Sequence, residues 1–219
     1  MIRSPRNAAF TLVEMITVIA IIAILAGLIL AVNTVAQKKA GLSRAETEIK
    51  EISVAIENYK TDNGGYPQDP NLTDTLDPRN ASVATSVTNP QGAVAQSSRF
   101  LYEQLSGDTD GDGTIGNGSD TGKNYAPDFW KPTHLGGTKN GSGKVAPVLY
   151  IMDPFGNPYG YSTAGLLVEQ EFRAALSTNP NAPRNVQNSK GTQGYNPTFD
   201  LWSCAGDTAG LSAKWIKNW

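Results

Sequence analysis

The chain has 219 residues, 39% hydrophobic and 17% charged, with 18 Lys and Arg against 20 Asp and Glu and a formal charge of −2. That length suits one domain or two, and near-neutrality gives no electrostatic reason to expect a nucleic-acid partner. The single cysteine, Cys204, excludes an intrachain disulfide framework, and the single histidine, His134, excludes a His-rich zinc site.

The first element is apolar on every side. No Lys or Arg occurs from Asn7 to Gln37, and the only acid there is Glu14; within that stretch Met15 to Val32 are eighteen uncharged residues. As a helix this run reaches about 27 Å, close to the ~30 Å of a bilayer's hydrocarbon. A buried helix of a soluble domain rarely stays apolar all round for so long, so the run predicts a transmembrane helix. Arg3 and Arg6 precede it and predict a cytoplasmic N-terminus with the remainder outside; Lys38 and Lys39 follow it. A secretory signal peptide would have a shorter core and a small-x-small cleavage site after it, whereas here the helical pattern continues.

Leu42, Ala45, Ile49, Ile52, Ile56 and Tyr59 recur at alternating spacings of 3 and 4, with Arg44, Glu46, Glu48, Lys50, Glu51 and Glu57 on other faces. No proline lies between Pro5 and Pro67, and Asn63-Gly64-Gly65 supplies a stop. One helix of about fifty residues is predicted, residues 10–36 for membrane or assembly and residues 37–66 amphipathic, the latter packing its stripe on a sheet.

The globular remainder is 67–219. Residues 68–97, rich in Pro, Asn, Thr and Ser, read as a long loop, and Ser98–Leu105 as a short helix. Residues 107–146 read as a second, glycine-rich loop. Strands are predicted at 148–152, 159–162 and 199–203, the first two forming an antiparallel hairpin about the turn Asp153-Pro154-Phe155-Gly156-Asn157-Pro158. A further helix over 165–177 is followed by a polar loop to Asn196. The fold class is α+β, a long N-terminal helix on a small antiparallel sheet with loop insertions.

A carboxylate one turn into an apolar span costs about 2.5–3.5 kcal/mol at the centre and less near an end. Glu14 is therefore either solvated at the headgroup level or paired with a positive group at its own depth. A free α-amino group at Phe10, released by a cut after Ala9, would be such a group. Phe10-Thr11-Leu12-Val13-Glu14 with the apolar run behind it resembles the class III signal of type IV pilins and type II secretion pseudopilins. The resemblance implies a leader, residues 1–9, removed by a prepilin peptidase between Ala9 and Phe10, N-methylation of Phe10, and pairing of Glu14 with a neighbouring subunit's terminus. Leaders of that family usually end in Gly, where this one has Ala9. The family's span commonly contains a Pro, where this one has only Gly27 and Asn33-Thr34.

The likeness extends further: Tyr59–Pro67, the 153–159 turn with its flanking strands, Phe199–Ser203 and Lys217-Asn218-Trp219 are similar to the major pseudopilin, the G subunit. It implies a structural subunit, not an enzyme, of a type II secretion pseudopilus. Its partners are then other copies of itself in a helical filament, the prepilin peptidase, the inner-membrane assembly platform and minor pseudopilins. Its place is the inner membrane, single-pass, with the globular part periplasmic. The alternatives are a type IV or minor pilin for adhesion or motility, and a membrane-anchored calcium-binding exoprotein.

Calcium enters by two routes. The G-subunit resemblance implies a site in the C-terminal loop, where Asp207 matches the first acid and residues 211–214 offer no second. Independently, Asp108-Thr109-Asp110-Gly111-Asp112-Gly113-Thr114-Ile115 has the spacing of an EF-hand loop: acids at positions 1, 3 and 5, Gly at 6 and a backbone carbonyl from Thr114 at 7. Position 12 is Ser119, with Asp120 one residue later. A solvated acidic turn is the competing reading. Residues 137–145 lack P-loop spacing, and His134 reads as a surface loop residue with no nucleophile motif beside it. Cys204 reads as a buried hydrophobe, and Trp130, Trp202, Trp215 and Trp219 as packing anchors.

Overall fold

A computed structural model of the chain describes residues 11–80, 83, 88–118, 120, 122–208 and 212–219, without the side chains of 29–33. The chain forms two compact units, divided between Ala40 and Gly41. Among the described residues the helices are α1 (Leu12–Asn63), α2 (Ala93–Ser106) and α3 (Ala164–Thr178), with a 3₁₀ turn at Ser212–Lys214. The strands are β1 (Leu135–Lys139), β2 (Val145–Ile151), β3 (Gly160–Ser162), β4 (Asp200–Ser203) and β5 (Ile216–Lys217). The α+β, pilin-like arrangement expected from the sequence, a long N-terminal helix with small antiparallel sheets, is present.

In the first unit α1 shows its apolar side chains outward. Leu12, Val13, Met15, Ile16, Ile19, Ile22, Ile24 and Leu28 are all more than half exposed. Among the described residues no helix is long and apolar enough to cross a membrane; the run Met15–Val32 enters 29–33, where side chains are not described.

In the second unit α1 turns one stripe inward. Ala45, Ile49, Ile52, Ala55 and Ile56 are buried with Leu101, Tyr102 and Leu105 of α2 and Val145, Val148 and Ile151 of β2. Each buried isoleucine contributes about 1.5–3 kcal/mol of apolar transfer. The stop falls where the sequence put it: α1 ends at Asn63, and Gly64, at φ +76°, donates its N–H to the Lys60 carbonyl.

Glu48, expected on a solvated face, is instead 4% exposed, because position 48 lies one turn beyond Ala45 on the same stripe. Its carboxylate is satisfied there. Arg44 Nε donates to Oε1 at 2.5 Å, Tyr159 Oη to Oε2 at 2.8 Å, and His134 Nε2 lies 3.4 Å from Oε1. His134 is correspondingly not a free surface residue. Its Nδ1 is 2.5 Å from the Phe129 carbonyl, and its ring lies against that of Phe129.

The predicted hairpin of 148–152 with 159–162 is reduced to a short antiparallel link about the turn, where the Tyr159 amide donates to the Ile151 carbonyl at 2.9 Å and the Asp153 amide to the Asn157 carbonyl at 2.8 Å. β2 pairs antiparallel with β1, a strand inside the segment expected to be loop, and β3 pairs with β4, which pairs with β5. The turn between β2 and β3 leaves one bridge, Met152 to Pro158. The Asp153 side chain also organises the turn by accepting from the Phe155 and Asn157 amides. Its other oxygen accepts from Ser203 Oγ on β4 at 2.6 Å. α2 begins at Ala93 rather than Ser98, so residues 93–97 are helix rather than loop.

Tryptophans close the far side. Trp202 and Trp215, both buried, stack at 5.7 Å, and Trp219 meets Trp202 edge-on. The floor under Trp202 is Gly160, where an added Cβ would fall 2.0 Å from the indole. Gly160→Ala should therefore cost about 1–3 kcal/mol through displacement of Trp202, read as a lower Tm and altered near-UV circular dichroism; unchanged values for both would refute this account.

Asp200 on β4 is 1% exposed and accepts from the Tyr195 and Asn196 amides at 2.7 and 2.9 Å. Burial outweighs those bonds and raises its carboxyl from 3.8 to about 6. A raised folded-state value favours folding while the group is protonated, and that contribution is lost as pH climbs from about 4 through about 6. Between pH 4 and 7 the Tm of the natural chain should fall relative to that of Asp200→Asn; parallel curves would contradict the assignment.

Candidate functional site

Two clusters carry the chemistry, one at the start of α1 and one in the loop after α2. At the first, Ala9 and Phe10 lie outside the described residues, and Glu14 occupies the first turn of α1. Its Oε2 accepts from the backbone N–H of Thr11 and from Thr11 Oγ1, both at 2.8 Å, while the Glu14 amide donates to Thr11 Oγ1 at 3.3 Å. This is a reciprocal capping box, in which Thr11 and Glu14 each satisfy an amide at the helix start. The sequence reading sought a positive partner for Glu14 and passed over Thr11, although T-x-x-E before an apolar run is the signature of that cap.

The second cluster grows from the end of α2. Gly107 stops the helix at φ +77°, and a Cβ there would lie 2.5 Å from the Gly122 carbonyl oxygen. Only glycine fits so close an approach, and it turns the chain directly into Asp108. Asp108 is fully buried. Its Oδ2 accepts from Tyr102 Oη at 2.5 Å and from the Gly113 amide at 2.8 Å, and its Oδ1 from the Asp112 amide at 3.2 Å. Burial raises the Asp108 carboxyl above the ordinary aspartate range, against the pull of those donors.

One carboxylate oxygen each from Asp108, Asp110 and Asp120 lie within 4.8 Å of one another. Asp112, the third acid of the EF-hand spacing, is not among them. Its Oδ1 accepts from the Thr114 amide at 2.6 Å and faces Lys144 Nζ of the β1–β2 turn at 3.5 Å, and Lys144 also reaches Thr114 Oγ1. The loop itself is pinned to β2 by the Val148 amide donating to the Gly111 carbonyl at 2.8 Å. Asp120 divides its oxygens. Oδ2 accepts from the amides of Gly116 and Asn117 at 2.6 and 3.1 Å, whereas Oδ1 is buried with no hydrogen-bond partner.

Asp207 is not part of this cluster; its Oδ2 pairs with Lys214 Nζ at 2.9 Å in the C-terminal loop. Cys204 is buried, and burial pushes its thiol up to about 11, which leaves it inert as a nucleophile.

No curated protein and no solved structure matches the chain. Residues 4–30 match one family model, the prokaryotic N-terminal methylation motif. The match covers residues 4–9, Phe10, the Thr11–Glu14 cap and most of the apolar half of α1, about an eighth of the chain. The chain thus carries the N-terminal signal of type IV prepilin-like proteins, which are membrane-anchored structural subunits processed by prepilin peptidase and assembled into filaments, not enzymes.

Proposed function

We propose that this chain is a structural subunit of a type II secretion pseudopilus, held in the inner membrane by α1 with its globular part in the periplasm until assembly. The observation that carries this reading is the apolar half of α1, exposed residue after residue from Leu12 to Leu28 among the described residues. Such a surface is stable in lipid or against like helices, and assembly exchanges the first for the second. Leader removal between Ala9 and Phe10 frees an amine one residue before the Thr11–Glu14 cap. Methylated or not, that amine remains a cation for the Glu14 carboxylate of a neighbouring subunit, so that neither charge enters the filament alone.

The single cysteine accords with this reading over a type IV pilin, which often closes its C-terminal region with a disulfide. The adhesion or motility pilin is the outcome to be separated by genetics: loss of secretion with motility intact supports the pseudopilus, and the reverse pattern overturns it. Mass spectrometry of the mature N-terminus should find a methylated Phe10. An intact leader would overturn the filament reading altogether.

Substitutions at Glu14 separate its two duties. Glu14→Leu removes both the charge and the cap; Glu14→Gln keeps an acceptor for Thr11 and removes only the charge. Both variants should insert in the membrane at normal levels, and both should reduce sheared filament by about tenfold or more, as loss of a charge pair at an interface does. Normal filament from Glu14→Gln would sink the pairing and leave Glu14 with capping alone.

A further inference from the structure

Three Asn-Gly pairs occur in the chain, Asn63-Gly64, Asn117-Gly118 and Asn140-Gly141. In such a pair the glycine nitrogen can attack the asparagine side-chain carbonyl, because no Cβ stands in its way. The reaction needs a free nitrogen, a free leaving amine and donors where negative charge gathers on Oδ1. The fold treats the three pairs differently. At Asn63 both nitrogens are engaged: the Gly64 amide donates to the Lys60 carbonyl at 2.8 Å, and Asn63 Nδ2 donates to the Tyr59 carbonyl and to Tyr125 Oη, each at 2.9 Å. At Asn117 the residue's own amide faces the Asp120 carboxylate, whose charge opposes a second anion forming beside it.

Asn140 is held in the opposite sense. It opens the turn between β1 and β2, and residues 140–143 are all exposed. Its amide donates to the Lys144 carbonyl at 2.8 Å, and its carbonyl accepts from the Gly143 amide at 2.9 Å, so the backbone is fixed. Its Oδ1 accepts from three donors: Ser142 Oγ at 2.7 Å, the Lys144 amide at 3.0 Å and the Ser142 amide at 3.1 Å. Among the described residues no partner holds Asn140 Nδ2 or the Gly141 amide. An added Cβ on Gly141 would meet nothing within 4 Å.

We propose that Asn140 is a site of self-modification, in which the Gly141 nitrogen displaces the side-chain amine and residue 140 becomes aspartate or isoaspartate. Hydroxide takes the Gly141 amide proton, the nitrogen bonds to Asn140 Cγ, and the carbonyl electron pair moves onto Oδ1. The three donors on Oδ1 stabilise that charge as oxyanion donors do. Collapse breaks the Cγ–Nδ2 bond, and the amine takes a proton from water and leaves as ammonia, restoring the hydroxide. Water then opens the cyclic imide at either carbonyl, so the net change is one water consumed and one ammonia released. The product carries a new negative charge at the tip of the β1–β2 turn, between Lys139 and Lys144 in sequence.

The test incubates the full-length chain in detergent micelles in mildly alkaline buffer and follows all three asparagines by peptide mapping with mass spectrometry. In the folded chain Asn140 should convert about tenfold or more faster than Asn63 and Asn117. In denaturant the three should convert at similar rates. Equal rates in the folded chain, or an Asn140 that stays intact, would overturn the site; a preference for Asn140 that survives denaturant would remove the part assigned to the fold. Gly141→Ala, for which the turn has open space, should slow conversion by about tenfold or more, and an unchanged rate would refute Gly141 as the nucleophile. Ser142→Ala removes the shortest of the three donors and should slow conversion by about threefold or more, less than in a dry site because water replaces the hydroxyl. A rate equal to the natural one, or above it, would refute the oxyanion role. Circular dichroism establishes that each variant keeps the fold.

Discussion

A helix that is apolar on all sides must be covered by something, and the described side chains of α1 before residue 41 are exposed. That constraint orders the rest of the molecule. In its second half the same helix buries a stripe of Ala45, Ile49, Ile52, Ala55 and Ile56, the last four in one core cluster with residues of α2, the loops and the strands. The change from exposed to buried isoleucines along one element separates what the chain folds by itself from what it leaves for other molecules. Neither half alone is informative: a buried stripe is ordinary core, and an exposed apolar helix by itself is an aggregation hazard.

The apolar-to-amphipathic change was legible in the sequence because it depends on local periodicity alone. Helix ends were legible within a few residues for the same reason, glycine at 64 and 107 being readable without tertiary knowledge. Strand pairing was not. Leu135-Gly136-Gly137-Thr138-Lys139 has one apolar side chain and two glycines, so nothing in it announces β1; it becomes a strand because β2 lies alongside. The short apolar and aromatic runs at 148–152 and 159–162 marked both as strands but could not say which partner each would take for most of its length.

Charged residues misled in a consistent direction. Glu48 and His134 looked solvated because charge and polarity are the only sequence evidence, yet they lie against each other, with Arg44 and Tyr159 also bonded to Glu48 and Phe129 against His134. Such a cluster is invisible until residues from three parts of the chain are brought together. Within the acidic loop the spacing sets Asp108 and Asp110 on one short glycine-punctuated turn, and the structure brings their carboxylate oxygens within 4.8 Å of each other. The spacing could not show that Asp112 pairs with Lys144 of the β1–β2 turn, nor that Asp120 is held by the amides of Gly116 and Asn117.

Glu14 and Asp120 share a physical device. In each, one carboxylate oxygen takes two donors from residues three or four positions earlier: Thr11 N–H and hydroxyl for Glu14, Gly116 and Asn117 amides for Asp120. Those local bonds fix the direction of the group before any outside partner arrives. A carboxylate so held loses less rotamer freedom when it meets a cation than a free side chain would. It also stays partly satisfied when the cation is absent, which allows an acid to persist beside an apolar helix or inside a loop without unfolding either. The same economy sets a limit: a charge tied to its own backbone has to find its second partner along the one direction left to it. The geometry of the helix start and of the glycine turns thereby becomes part of what each site will accept.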